Sequence, residues 1–167
     1  MLKIIRITGI VLLTIFTAIQ FFRPKRNHSP VIQPMDITRV YIVPQNVHQI
    51  LQKACADCHS DNTIYPWYDQ VQPVAWLLQD HIKYGKKDLN FSEFGAYEVA
   101  RQNRKMGKII EELRDGDMPL FSYTLMHPSA RLTDAEKEII YDWCKSVQND
   151  LKAKYPADSL LINHIKY

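Results

Sequence analysis

The chain lacks most of what marks non-globular and nucleic-acid-binding proteins. Glycine is scarce, with five in 167 residues, and no internal repeat or low-complexity run is present. A collagen-like or disordered chain is excluded on that composition. Net charge is also small, +3 at pH 7. No run of basic residues interleaved with aromatics is present to track a phosphate backbone, which leaves no footing for a nucleic-acid partner. Strand signals are weak, and apolar residues recur at helical spacing instead. Cysteine is rare and odd in number, three in all. A disulfide framework that pairs every thiol is therefore excluded.

Two of those cysteines sit in Cys55-Ala56-Asp57-Cys58-His59. Two cysteines three apart, with a histidine directly after the second, form the attachment signature of c-type haem. The chemistry needs that spacing. Two thiols must reach the two vinyl groups on one porphyrin edge, and the next residue must turn its imidazole under the iron. One helical turn carrying Cys55, Cys58 and His59 does all three, with His59 as the proximal ligand. One haem c per chain follows as the cofactor. Cys144 then stands alone on an apolar helical face, where a cysteine is a small buried hydrophobe. Cys-x-x-Cys also occurs as a dithiol redox motif or as half a zinc site. The first wants a strand just before the motif, and here the periodicity is helical. The second wants another ligand pair, and His127 and Cys144 have no recognised spacing.

Residues 1–26 read as a signal anchor or signal peptide. Lys3 and Arg6 precede an uncharged stretch from Ile7 to Phe22, and Arg23, Lys25 and Arg26 close it. The length lies between a signal-peptide core and a full span. No clean small-residue cleavage site follows, which favours an uncleaved anchor. Both flanks are basic, so charge bias sets no orientation. Haem attachment does: c-type maturation occurs outside the cytoplasmic membrane, which places the domain on the periplasmic side of the inner membrane. Cleavage would instead release it to the periplasm.

Residues 27–43 read as a proline-broken linker, 44–150 as one domain, and 151–167 as a tail with a short helix through Leu160, Leu161 and Ile165. The expected fold is all-α, about four helices around one haem. The first helix starts near Pro44, with Val47, Ile50, Leu51 and Ala54 on one face. His48 lies on its outer side. A second helix opens at Pro73 and ends at Gly85. A third, capped near Ser92, runs from about Glu93 or Glu98 to Arg114 and stops at Gly116; Arg101, Arg104, Lys105 and Lys108 form a solvated basic face. A long loop from Asp117 to Arg131 follows. The last helix begins at Thr133, where Glu136 completes a capping box. Trp67 and Tyr68, within Ile64-Tyr65-Pro66-Trp67-Tyr68, are candidate walls of the porphyrin site.

For the second axial position the candidates are Met118, Met126, His127, His81 and Met106. Met106 lies on an apolar helical face and reads as core filling. Met118 leads. It follows a helix stop, precedes a proline, and lies ahead of the closing helix, where a thioether can face iron from a stiff loop. A His/Met pair raises the reduction potential. Met126 and His127 share the loop, and His81 lies beside the stripe of the second helix.

At this level of detail the chain resembles a family of cytochrome c-like haem-binding domain proteins found in many Bacteroidetes. The resemblance rests on Cys55 to Ser60, Tyr65-Pro66-Trp67-Tyr68, Pro73 to Leu77, Asp80-His81, Gly85 with Leu89 to Ser92, Gly116-Asp117-Met118-Pro119, Tyr123, His127-Pro128, Ala130-Arg131-Leu132 and the helix of Trp143. It covers about residues 40–147. It implies a monohaem domain behind a signal or anchor segment and names no substrate. The expected role is electron transfer to redox partner proteins that the sequence does not identify, with no catalytic residue. The rival is a haem enzyme or gas or redox sensor with an exchangeable distal ligand.

Overall fold

The computed structural model describes residues 1–31 and 33–161. Among them there is no strand, and the fold is all-α, as the helical periodicity requires. The order begins with α1 (Leu2–Ile19), α2 (Ile37–Val40), α3 (Gln45–Ala54) and α4 (Ala56–His59). It continues with α5 (Val74–Asp88), α6 (Val99–Asp115), α7 (Phe121–Met126) and α8 (Asp134–Lys154). The four long helices of the domain, α3, α5, α6 and α8, are those that periodicity predicts. Of the short ones, α4 is the helical turn expected at the cysteine–histidine motif, while α2 and α7 lie in segments expected to be a linker and a loop.

The core forms where α6 packs along α8 and α3 packs on α8. Val47, Ile50 and Leu51 meet Met106, Leu113, Ile140, Trp143, Cys144 and Val147 there. Local signals account for most helix ends. Pro44 precedes α3. Gly116 adopts φ 80° at the end of α6, a conformation glycine takes without a Cβ penalty. Thr133 and Glu136 exchange both bonds of a capping box at α8.

Several expectations change. The second helix passes through Gly85 and ends at Asp88. Ser92 does not cap a helix; the Asn90 side chain caps a 3-10 turn at Phe91–Ala96, and Ser92 Oγ accepts the Asp61 N–H at 3.1 Å. The 117–131 loop contains α7 and a 3-10 turn at Pro128–Ala130. The segment read as a linker is tied to the domain at several points, although most of its described residues are exposed. Ile37 is buried, the Gly95 N–H donates to Met35 O at 2.8 Å, Tyr41 donates its hydroxyl to Gln102, and Trp143 Nε1 donates to Ile42 O at 3.2 Å. In the tail, Leu151 and Leu160 are buried and Ala157–Leu160 makes a 3-10 turn. Ile165 lies outside the described residues.

Helix α1 has no buried residue and is long and apolar enough to cross a membrane. The chain after it is tied to the domain. Asn27 alone engages Tyr65, Ser60 and Thr63.

Candidate functional site

Helix α3 ends at Cys55, where the backbone turns (φ −126°, ψ −40°) and starts α4. The Cys55 carbonyl then accepts from the N–H groups of Cys58 and His59, at 3.2 and 3.0 Å. One short turn therefore carries both cysteines and the histidine, lying on α5 with Ala56 buried beneath it. The approach is close because residue 85 is glycine. A Cβ there would stand 2.8 Å from Cys58 O and 3.2 Å from Cys58 Cβ. Gly85 is thus a contact residue within α5.

The same stretch of α5 orients His59. Its Nδ1 lies 3.0 Å from Gly85 O and 2.9 Å from Leu89 O. Carbonyls only accept, so Nδ1 must carry the proton and donate. Of the two neutral tautomers this selects the one whose lone pair is on Nε2, the nitrogen through which an imidazole so held binds a metal. Phe91 packs edge-on to the ring at 6.2 Å.

Cys55, Cys58, His59 and Met118 all line one cavity of about 400 Å3, walled by apolar side chains that include Leu51, Phe91 and Ile109. That is the size range of small-molecule and cofactor sites. Burial, then the neighbouring Cys58, pushes the Cys55 thiol up to about 12. Burial, then Asp57, pushes the Cys58 thiol up to about 11. Both are protonated thiols at neutral pH, unlike the depressed thiols of dithiol oxidoreductases. Cys144 is fully buried, and burial raises its thiol too.

Of the distal candidates, Met118 and His81 line the cavity. Met106 is 0% exposed within the core. Met126 is exposed. His127 stacks on Tyr123 with centroids 4.3 Å apart, donates from Nδ1 to Tyr123 O at 3.1 Å, and meets the Tyr68 hydroxyl through Nε2 at 3.4 Å. Neither Trp67, at 79% exposure, nor Tyr68 lines the cavity. Among the described residues no group of three or more His, Cys, Asp or Glu side chains converges to hold an ion.

Three participants escaped the sequence reading as site residues. Tyr123 lines the cavity and donates its hydroxyl to Asp57 Oδ2 at 2.7 Å. Asp57 Oδ1 accepts the Ile64 N–H at 2.9 Å, so one carboxylate ties α7 and the 64–68 segment to the turn between the cysteines. Burial, then that bond to Asp57, raises the Tyr123 hydroxyl. Lys105 is buried at the cavity wall, paired with Asp88 at 2.6 Å. Burial alone would raise the Asp88 carboxyl, but the hydrogen bond and charge of Lys105 outweigh it and hold the carboxyl low. The solvated basic face therefore loses one of its four members. Tyr123→Phe removes a bond to a charged acceptor and is expected to cost about 1–2 kcal/mol, read as a lower denaturation midpoint.

A model of the haem-binding domain matches residues 14–146. The chain belongs to the haem-binding domain family. Haem is thereby assigned as its ligand, and the cavity's donor set fits it: a free imidazole nitrogen, two thiols and a thioether in apolar walls. The match begins within α1, so the segment after that helix lies inside the matched region. No curated protein and no solved structure shows significant similarity to the chain.

Proposed function

We propose that this haem-binding protein holds one c-type haem, with thioethers from Cys55 and Cys58, His59 Nε2 as proximal ligand and Met118 as distal ligand. It works as an electron-transfer module held at the membrane by α1, facing the periplasm. When bound, the group supplies a one-electron iron couple, and methionine opposite histidine raises its potential. The observation that carries the reading is the pair of hydrogen bonds from His59 Nδ1 to Gly85 O and Leu89 O. They set the tautomer and hold the ring against rotation, which keeps Nε2 available to iron in both oxidation states. The apolar walls around it exclude water and limit reorganisation when charge changes. Met118 lines the same cavity, and with His59 and Met118 both holding the iron no position would remain for a substrate.

Covalent attachment is tested on a denaturing gel stained for haem. The full chain should keep its stain. Cys55→Ser and Cys58→Ser should each lose most of it, and the double variant all of it. An unstained wild-type band would mean the haem is held without thioethers.

His81 favours one other reading, because it shares the cavity with Met118. If it acts beside an exchangeable distal position, the protein is an enzyme or a gas or redox sensor. Rapid carbon monoxide uptake by the reduced wild-type protein would select that reading over electron transfer.

A further inference from the structure

The outer surface at the start of α5 is apolar, and it lies where α1 ends. Val71, Val74, Trp76 and Leu77 are all exposed, Leu77 at 56%. Phe21 and Phe22, just past α1, are exposed as well. Scattered apolar residues need no explanation on a soluble surface, but a contiguous group does.

Hydrogen bonds set the level of this group along the chain's exit from α1. Gln20 Oε1 accepts the Gln72 N–H at 2.9 Å, and Gln20 Nε2 donates to Gln72 O at 3.3 Å. The Phe22 carbonyl accepts from Gln72 Nε2 at 3.1 Å and from Trp76 Nε1 at 2.8 Å. Arg23 donates to Gln70 at 2.8 Å, and Arg26 pairs with Asp69 at 3.2 Å. Residues 69–76 are thereby held beside residues 20–26. Helix α1 is about 27 Å long at 1.5 Å per residue, close to the thickness of a bilayer's hydrocarbon core. Whatever follows its last turn sits in the headgroup region.

We propose that Val71, Val74, Trp76 and Leu77 form a membrane-interface surface that beds the domain against the lipid from which α1 emerges. The proposal rests on α1 being a retained anchor. The occupant is lipid because the bonds of Gln20 and Phe22 hold the patch beside the last turn of α1, at the level where that helix would leave the bilayer. Its chemistry also fits the interface. A tryptophan with its N–H satisfied and its ring exposed suits the headgroup level. Arg23, Lys25 and Arg26 add positive charge there, which anionic lipid attracts. The consequence reaches the haem site. Helix α5 begins in the patch and carries the Gly85 and Leu89 carbonyls next to its end. Bedding its first turn gives the cavity a set attitude to the bilayer, which a free linker would not.

The test uses the full haem-loaded chain in vesicles of phosphatidylethanolamine and phosphatidylglycerol. Nitroxide labels are placed one at a time at Val74→Cys and Leu77→Cys, at Leu12→Cys in α1, and at Lys145→Cys on the exposed side of α8. Collision rates are measured with oxygen, which partitions into lipid, and with a water-soluble nickel chelate. The oxygen-to-nickel ratio should be several-fold higher at 12, 74 and 77 than at 145. A high ratio at 12 with ratios at 74 and 77 equal to that at 145 overturns the proposal and leaves the anchor standing. An aqueous ratio at 12 overturns both. Labels at 74 and 77 shielded from both reagents would mean that protein, a second copy or a partner, covers the patch, which also overturns it.

Discussion

Gly85→Ala is expected to destabilise the protein by up to about 2 kcal/mol and to lower its haem content, although the same change should favour the helix. Two effects of opposite sign compete. Alanine is a better helix former than glycine by about 1 kcal/mol in a helix interior, and Gly85 lies inside α5. Packing opposes it. The added methyl would stand 2.8 Å from a backbone carbonyl and 3.2–3.3 Å from two further atoms of Cys58. A carbonyl on a short turn cannot swing aside as a lysine end could, so α4 must lift from α5. Overpacking of this kind costs about 1–3 kcal/mol, which outweighs the gain in propensity. The movement also has a chemical consequence, because the Gly85 and Leu89 carbonyls hold His59. The checks are a denaturant midpoint and the haem-to-protein absorbance ratio of the purified chain. A raised midpoint with full haem would remove the close contact from the account of the site.

If Met118 holds the iron as proposed, Met118→Ala should open it. Gly116 ends α6, and the N–H groups of Asp117 and Met118 both donate to Glu112 O, at 3.0 and 3.2 Å. Pro119 follows. The backbone that carries the thioether is pinned on both sides, so no neighbouring residue slides into its place. The oxidised spectrum should lose its methionine–iron charge-transfer band and shift toward high spin. The reduced protein should then take up carbon monoxide rapidly, and the potential should fall with loss of the sulfur ligand. Stability should drop by roughly 1–2 kcal/mol, below the range for a fully buried methionine, because Met118 is only half-buried. His81→Ala serves as the comparison, since His81 lines the same cavity. An unchanged spectrum for Met118→Ala with an altered one for His81→Ala would reverse the assignment.

What could be read in advance was written locally. The α3 stripe, the Gly116 stop and the Thr133–Glu136 box involve residues within one or two turns of each other, so spacing alone reveals them. Within its local window Gly85 reads as a stop, because glycine favours helix ends. Its reason is a contact with Cys58, 27 positions earlier, which no local window contains. Asp57 carried no signal either, since one acidic residue in a short turn looks like any solvated side chain. Its partners are Tyr123 and Ile64, brought to it by α7 and by the loop after α4. The prolines of residues 27–43 read as a linker. Proline stops long helices, but it does not stop Ile37 from being buried or the Ile42 carbonyl from accepting a bond.

The sequence by itself determined the spacing of Cys55, Cys58 and His59, because covalent connectivity sets it. It also determined the helical class, through apolar periodicity. Only the tertiary structure decided that His59 presents Nε2, that Met118 and His81 share its cavity while Met126 and His127 do not, and that the chain after α1 is fastened to the domain. Each of those outcomes depends on carbonyls, side chains and surfaces far apart in the chain. Their meeting is settled by which helices pack together, and that is a property of the whole core.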